Sequence, residues 1–442
     1  MGEAAIDGDN GLILMRDVIF ISLENWDGIW RRNQFLCAEW LRRFPGMRML
    51  FVGRSRDVSH AVRTGEWSGL RGGGLRRSEE FDGLTLLNPW KLFPNSVSPG
   101  RKLNIRWLGA QIRSAASHAG LRAPLLWIND HCAEPLAGHL NERAVVYDIT
   151  DDWTLMPSLG DSERSRVRSF DARLCGRADL VVVCSDALER SRKNKCRRIV
   201  KVPNGVDAAH YRTCREGFPV RDNRSPVFGY VGTLHGDRLD FELVEALARA
   251  YPEGRVVLCG PDLLTPVEKQ RLEKHPNIQR LDAVDYKNVP GVIAGFDVCI
   301  LPHLRTPFTE SLNPIKLWEY LASSKPVAAT PVAGFREMAH LCHLGVGASG
   351  FVAACGKALT EDPSRAASRV AEAEANSWRA RSEQLLEVFR QQGWLGRPMP
   401  KPRRATRQGH KTTNEAKWTD CLAKSQGGSA AWSVQTQFYK TT

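Results

Sequence analysis

No window of this 442-residue chain approaches the roughly 18–20 continuous apolar residues that span a bilayer. Its first residues, MGEAAIDGDNGL, offer neither a basic stretch nor an apolar one, so no secretory leader is expected. Gly2 follows Met1, but Ile6 stands where a myristoylation signal needs Ser or Thr. The eleven cysteines are scattered singly from Cys37 to Cys421, with no pair of C-x-x-C motifs, and no metal site is expected. Cys259 and Cys299 end apolar runs, where cysteine acts as a small buried hydrophobe. An odd, unclustered set fits a reducing cytoplasm. A repeat of solenoid period is absent. No G-x-G-x-x-G follows the first strand-like run; that place reads Glu24-Asn-Trp-Asp-Gly28, which argues against a nicotinamide-dependent oxidoreductase.

What is present is an ordinary globular composition, 25% charged and 42% hydrophobic, long enough for two or three domains. The formal charge is +13. Residues 397–442 hold nine Lys/Arg and two Asp/Glu, so more than half of the excess lies in that tail. A basic body suits anionic partners: nucleotide diphosphates, nucleic acid or an anionic membrane surface. A solvated basic surface accounts for the charge equally well.

Strand-like and helical runs alternate twice along the chain. The first series starts with Asp17–Leu23, a helix over Ile29–Arg43 and a strand over Met47–Val52, a β-α-β unit of parallel strands. Further strands are expected at Leu84–Leu87, Leu125–Ile128, Ala144–Ile149 and Leu180–Cys184, with helices over Leu103–Ala119 and Ser162–Cys175. A polar, Arg-rich stretch, Tyr211–Arg224, reads as a linker. The second series has strands at Val227–Val231, Arg255–Cys259, Ile278–Leu281, Val298–Leu301 and, last, Val327–Thr330. Helices fit at Phe241–Ala250, Pro266–His275, Val289–Ala294 and Pro314–Ala322, and a long one over Pro363–Gln392. The fold class is therefore α/β, with two doubly wound, Rossmann-like lobes facing each other. The expected divisions are 14–207, 225–360, a helix at 363–393, and a disordered basic tail at 397–442 in which Trp418 and Trp432 are incidental.

In such sheets ligands bind beyond the carboxyl ends of strands. After Val298–Leu301 come Thr309, Glu310, Ser311 and Asn313, then Pro314 at a position suited to the first turn of a helix. A helix start presents free N–H groups and partial positive charge to a diphosphate. Lys316 adds a full charge there, and Glu319, three residues on, can accept hydrogen bonds from both hydroxyls of a ribose. A solvated Glu on an amphipathic helix is the plainer alternative. After Val227–Val231, Gly232 and Gly236 allow backbone to approach phosphate or simply make a turn. Asn129-Asp130-His131 and Asp151-Asp152 also follow strands. The paired aspartates suit a metal, a general base or a helix N-cap.

The string Asn313–Val327 (NPIKLWEYLASSKPV) resembles the donor-site helix of glycosyltransferase family four and its GT-B relatives. In that family an acidic residue, seven residues and a Glu precede a small-residue turn and Lys-Pro-Val. Glu319 matches the second acidic position, while Ser311 falls on the first and Glu310 is one residue out of register. A subgroup with Asn-Pro-Xaa-Lys, similar to enzymes of cell-surface polysaccharide assembly, fits better. Val202–Asp207 (VPNGVD), Phe228–Gly236 (FGYVGTLHG), Trp26–Gln34 (WDGIWRRNQ), Tyr147–Trp153 (YDITDDW) and a late helix with Trp378 are similar to family segments.

The resemblance implies transfer of a sugar from a nucleotide diphosphate sugar to a hydroxyl acceptor, with retention, without metal or further cofactor. It places Gly232, Thr233, Arg238, Ser311, Asn313, Lys316 and Glu319 around the donor, with Arg305 as a second cation. Asp130, His131 and Asp152 are the catalytic-side candidates, for contacts to sugar or acceptor. A saccharide or lipid-linked acceptor is implied, with a cytoplasmic location and peripheral contact at the inner membrane face, and no specific nucleic acid. A non-catalytic nucleotide-sugar-binding or scaffold protein is the rival reading.

Overall fold

The computed structural model describes residues 16–94, 98–212 and 225–394. Residue 14, most of the expected linker, the tail at 397–442 and Trp418 and Trp432 lie outside the described residues. The first lobe is built on an eight-stranded sheet. From one edge to the other the strands are Ile199–Lys201, Leu180–Val183, Ala144–Ile149, Leu125–Ile128, Asp17–Ile21, Arg48–Val52, Leu84–Asn88 and Gly74–Arg77. All pair in parallel except the last, which is antiparallel to its neighbour. The central strands are β-branched and aromatic because both faces are covered. Val18 and Phe20 enter one core with Trp40, Trp127, Trp378 and Phe389. Ile19 and Ile21 enter the opposite core with Ile112 and Leu174.

The second lobe has a six-stranded parallel sheet, ordered Ile278–Leu281, Arg255–Cys259, Val227–Val231, Val298–Leu301, Val327–Ala329 and His343–Leu344. This is the dinucleotide-fold order 3-2-1-4-5-6, whose direction reverses between Val227–Val231 and Val298–Leu301. In the first lobe the reversal falls between Asp17–Ile21 and Leu125–Ile128. The loops after those four strands are therefore the ones that line a crevice.

Several features differ from the sequence-based expectation, among them the following. The first helix begins at Arg32 rather than Ile29, because Arg31 caps it and its N–H donates to the Gln34 side chain. The short strands Gly74–Arg77 and Ile199–Lys201 carry too little apolar pattern to stand out. Val327–Ala329 is not the last strand, since His343–Leu344 pairs beside it. The expected helix over Pro363–Gln392 is two helices, Arg365–Ala375 and Trp378–Gln391.

The cause of that break is specific. Ser377 caps the second helix, accepting from the Ala380 N–H, while Val206 bridges to Ser377 and hydrogen-bonds both Asn376 and Trp378. Gly205 lies against the same point, where a β-carbon would stand 2.9 Å from the Trp378 nitrogen and 3.0 Å from the Asn376 oxygen. The Arg365–Ala375 helix packs on the second lobe and Trp378–Gln391 on the first. Trp378 is buried and stacks on Phe35 at 5.1 Å. Trp378→Ala should cost about 3–5 kcal/mol of stability in denaturant unfolding; an unchanged midpoint would show that the last helix is not held by this ring.

Candidate functional site

Loops beyond the carboxyl ends of the two sheets, including several outside the reversal points, meet through side chains. Asn313 Oδ1 accepts from the Asn204 N–H at 2.8 Å, and its carbonyl accepts from the Asn204 side chain at 2.5 Å. The Ser185 hydroxyl donates to the Ser311 carbonyl at 2.6 Å. Met156, Phe308 and Leu312 form a small apolar cluster across the same face. Tyr286, from the second lobe, stacks near Trp30 and edge-on to Phe35, and its N–H donates to the Gly28 carbonyl at 3.3 Å.

The helix Ile315–Ala322 stands at the second lobe's reversal point. Pro314 is not inside it, contrary to expectation. Its ψ of 123° is extended, and it serves as the N-cap, with no side chain capping the first turn. Lys316 and Glu319 are brought together, with Nζ 2.8 Å from Oε2. Lys316 is about one-third exposed and Glu319 is buried. Two phenols crowd that carboxylate: burial first, and then the Glu319 charge, push the Tyr211 and Tyr286 hydroxyls up. Tyr320 ties the helix to the neighbouring strand end, its hydroxyl accepting from the Val231 N–H at 2.8 Å.

Gly232 follows directly. A β-carbon there would stand 2.6 Å from the Tyr230 hydroxyl, and one on Gly260, whose φ is +146°, would overlap the Gly232 carbonyl. This strand end thus presents bare backbone, with Thr233 next in line. Arg238 reaches across the crevice, its guanidinium 5.3 Å from the Phe308 ring centre and 3.8 Å from Asp151. Its Nε is buried without a hydrogen-bond partner, as is Nδ1 of His303 beside it. Burial, aided by the Arg238 charge, lowers the His303 ring from 6.5 to about 4. Arg305 is exposed.

Other expected residues are engaged elsewhere. Ser311 is buried and its hydroxyl donates to the Phe308 carbonyl at 2.6 Å. Glu310 turns outward to Arg336, at 2.7 and 3.0 Å. In the first lobe Asp130 caps a short 3₁₀ turn, accepting from the Cys132 N–H. His131 is buried, with its ring 6.4 Å from that of Trp153, and burial lowers its pKa. The two aspartates diverge, Asp151 toward Arg238 and Asp152 toward Arg192 at 2.5 and 2.9 Å. Asp152 also caps the turn at Trp153, accepting from the Thr154 N–H.

Glu24 was missed as a site residue. It follows the first strand at the first lobe's reversal point, 3.7 Å from Arg31, with Oε2 unpartnered. Burial pushes its carboxyl from 4.5 up to about 7 against the Arg31 charge, and Asp27 and Asp151 add to the rise. Asp151 is raised as well, by burial, although Arg238 opposes it. Only the position after a strand at a reversal point could have marked Glu24 in the sequence.

Residues 225–365 match the family model described as glycosyl transferases group 1. A relative whose name proposes a teichuronic acid biosynthesis glycosyltransferase, TuaH of Bacillus subtilis (strain 168), is 28% identical over 208 residues, 44% of this chain and 52% of its own. The chain thus spans about half the length of that relative. Among solved structures, sucrose-phosphate synthase from Thermosynechococcus elongatus superposes with a TM-score of 0.62 at 14% identity, over 85% of this chain and 99% of that one. HepE of Anabaena, in complex with UDP-glucose, gives 0.58 at 18% identity, over 85% and 99%. The family match falls on the second lobe, and the whole has the GT-B fold.

Burial works to raise the Asp152 carboxyl, but the Arg192 hydrogen bonds and charge outweigh it and hold the group below 3.8. Its stabilising effect is therefore present above that value and lost as pH falls through the depressed folded value. Asp152→Asn should cost about 3 kcal/mol at pH 7 in urea unfolding, and markedly less in acid. Equal loss at both pH values would refute the ion pair as the cause.

Proposed function

We propose that this GT-B chain transfers a sugar from a nucleoside diphosphate sugar to a hydroxyl acceptor, with retention, in the assembly of a cell-surface polysaccharide or glycoconjugate. The observation that carries the reading is the Lys316–Glu319 pair on an uncapped helix at the reversal point of a 3-2-1-4-5-6 sheet. Glu319 takes the ribose hydroxyls, and Lys316 swings from the carboxylate to the diphosphate. Charge develops on the β-phosphate as the sugar leaves, so donors preset there stabilise the transition state most. The bare backbone at Gly232 and Thr233 and the half-partnered Arg238 supply them. Asn313 and Ser311 hold the loop in place through Asn204 and Ser185. The solved complexes of HepE with UDP and with UDP-glucose support a uridine nucleotide as the first donor to try.

On the acceptor side, Asp151 faces Arg238 and Glu24 lies close enough to Asp151 to feel its charge, while Asp130 and Asp152 cap the turns behind them, the first of which begins at His131. The acceptor is a saccharide, free or lipid-linked. The buried Ser311 hydroxyl, standing where a carboxylate was expected, favours one rival: a protein that binds nucleotide sugars without turning them over.

A thermal-shift panel of UDP, GDP, dTDP and ADP sugars finds the donor, because one that binds only the folded state raises the midpoint, and a transfer and hydrolysis assay with that donor separates these readings. One sugar nucleotide should give a saturable shift. Glu319→Ala and Lys316→Ala should each weaken it roughly tenfold to a hundredfold, the loss of charge-assisted hydrogen bonds worth about 1.5–3 kcal/mol. Undiminished binding in both variants sinks the donor site, and binding without transfer or hydrolysis establishes the rival. For the acceptor side, kcat/KM should rise with pH through a limb near pH 7 as Glu24 ionises, and Glu24→Gln should flatten that limb.

A further inference from the structure

All but two of the described cysteines are buried; the exceptions are Cys132 and Cys196. Their electrostatic settings are opposite. Cys132 lies beside Asp130, and burial together with that carboxylate pushes its thiol well up. Cys196 stands within a run of cations. Arg190, Lys193, Lys195, Arg197 and Arg198 are exposed along the chain on either side of it, Arg192 is buried nearby, and no Asp or Glu lies between Arg190 and Arg198.

Cys196 also has a partner. Its side chain packs on the core cluster that contains Cys175, which lies near the end of the helix Asp161–Arg177. That helix packs against the turn Lys193–Lys195, which Cys196 closes. The two thiols hydrogen-bond to each other. Both backbones are held: Cys175 is inside the helix, and the Val181 N–H donates to the Arg198 carbonyl at 2.9 Å, just past Cys196. The hydrogen bond from Cys175, and then the Arg192 and Lys195 charges, bring the Cys196 thiol below its usual 9.0 against burial and Asp171. Cys175 is pushed the other way, first by the same hydrogen bond and then by burial. Cys175 therefore keeps its proton, and Cys196 carries the thiolate character. A partly exposed thiolate among cations, with a buried thiol behind it to resolve the product, singles out one cysteine for oxidation.

We propose that Cys175 and Cys196 form a reversible disulfide when the chain meets a peroxide. The Cys196 thiolate attacks one oxygen of hydrogen peroxide. An S–O bond forms, the O–O bond breaks, and the departing hydroxide takes up the proton that Cys196 had released. The sulfur gives up two electrons and becomes a sulfenic acid, while the peroxide is reduced. The Cys175 sulfur then attacks the Cys196 sulfur; S–S forms, S–O breaks, and hydroxide leaves as water with the Cys175 proton. Two thiols and one hydrogen peroxide thus give one disulfide and two waters. A reducing thiol reverses the bond by exchange, so in a reducing cell the pair rests as a dithiol. The disulfide closes a ring of chain that contains the strand Leu180–Val183 and the helix Asp186–Arg192. Within that ring are Ser185, whose hydroxyl holds the Ser311 carbonyl of the second lobe, and Arg192, which holds Asp152. Oxidation therefore fastens the first-lobe side of the contact between lobes, and it does so whether or not the chain transfers a sugar.

The test treats the fully reduced, full-length chain with an equimolar amount of hydrogen peroxide and maps its peptides by mass spectrometry without reductant. The expected product is a peptide linking Cys175 to Cys196, formed about tenfold or more faster than oxidation at any other cysteine and removed by dithiothreitol. Cys175→Ser should stop at a sulfenic acid on Cys196 that dimedone traps, and Cys196→Ser should leave Cys175 unoxidised. The thermal midpoint of the wild type should rise by a few degrees on oxidation and return on reduction, with no such rise in Cys196→Ser. Absence of the linked peptide overturns the proposal. So does pairing of Cys196 with another cysteine, or a linkage that appears only after unfolding in urea. Oxidation of Cys132 at the same rate as Cys196 overturns it too, by making exposure alone the cause.

Discussion

The Arg32 guanidinium holds together most of what the rest of the molecule uses. It is buried, paired with both oxygens of Asp148 at 3.0 and 3.2 Å, and its remaining nitrogen donates to the Val202 and Pro203 carbonyls and to Asn204 Oδ1. Desolvating two such charges is costly, and the pair is tolerable because nearly every donor is satisfied. A lysine offers three donors on a flexible stem and cannot reproduce the fork. The helix start at Arg32, the strand end at Asp148 and the turn at Pro203–Asn204 are fixed relative to one another by this one side chain. Through Asn204 the constraint passes to Asn313, and so to the helix that carries Lys316 and Glu319.

The first lobe is therefore part of the proposed donor site through Asn204 and Ser185. It sets where the Ile315–Ala322 helix begins, while the second lobe's Arg238 leans back over the first lobe's Asp151. The two lobes present charges of opposite sign to each other: carboxyls pushed upward by burial on one side, a guanidinium and a neutral histidine on the other. On the proposed reading, a diphosphate belongs beside the second set and a hydroxyl acceptor beside the first.

Much of this architecture was legible in the sequence. Leu125–Ile128, Ala144–Ile149, Val227–Val231 and Arg255–Cys259 begin and end where their apolar runs do, because a strand buried on both faces has little choice of composition. The Lys316–Glu319 pairing was legible from spacing alone, since positions three apart on a helix are neighbours. Features that depend on distant contacts were not. Asn376-Ser377 offers only a weak local cap signal inside a long charged run, and the break there is also held by Val206 and Gly205, some 170 residues earlier in the chain. The raised carboxyl of Glu24 arises from burial and from charges on other loops. Likewise, Arg32 sits in the segment WDGIWRRNQ, which only the family resemblance singles out, and nothing in it foretells a side chain turned inward toward Asp148. Asp152 answers to Arg192, forty positions away.

The chain passes between the lobes at two described places, Val206 and Asn376-Ser377, and these two crossings lie side by side, joined by a parallel bridge. Two adjacent, hydrogen-bonded crossings leave one easy rotation, about the line that runs through both. Motion confined to that line preserves the facing of Asp151 and Arg238, so the register of one lobe against the other is set where the chain crosses as well as where the loops meet.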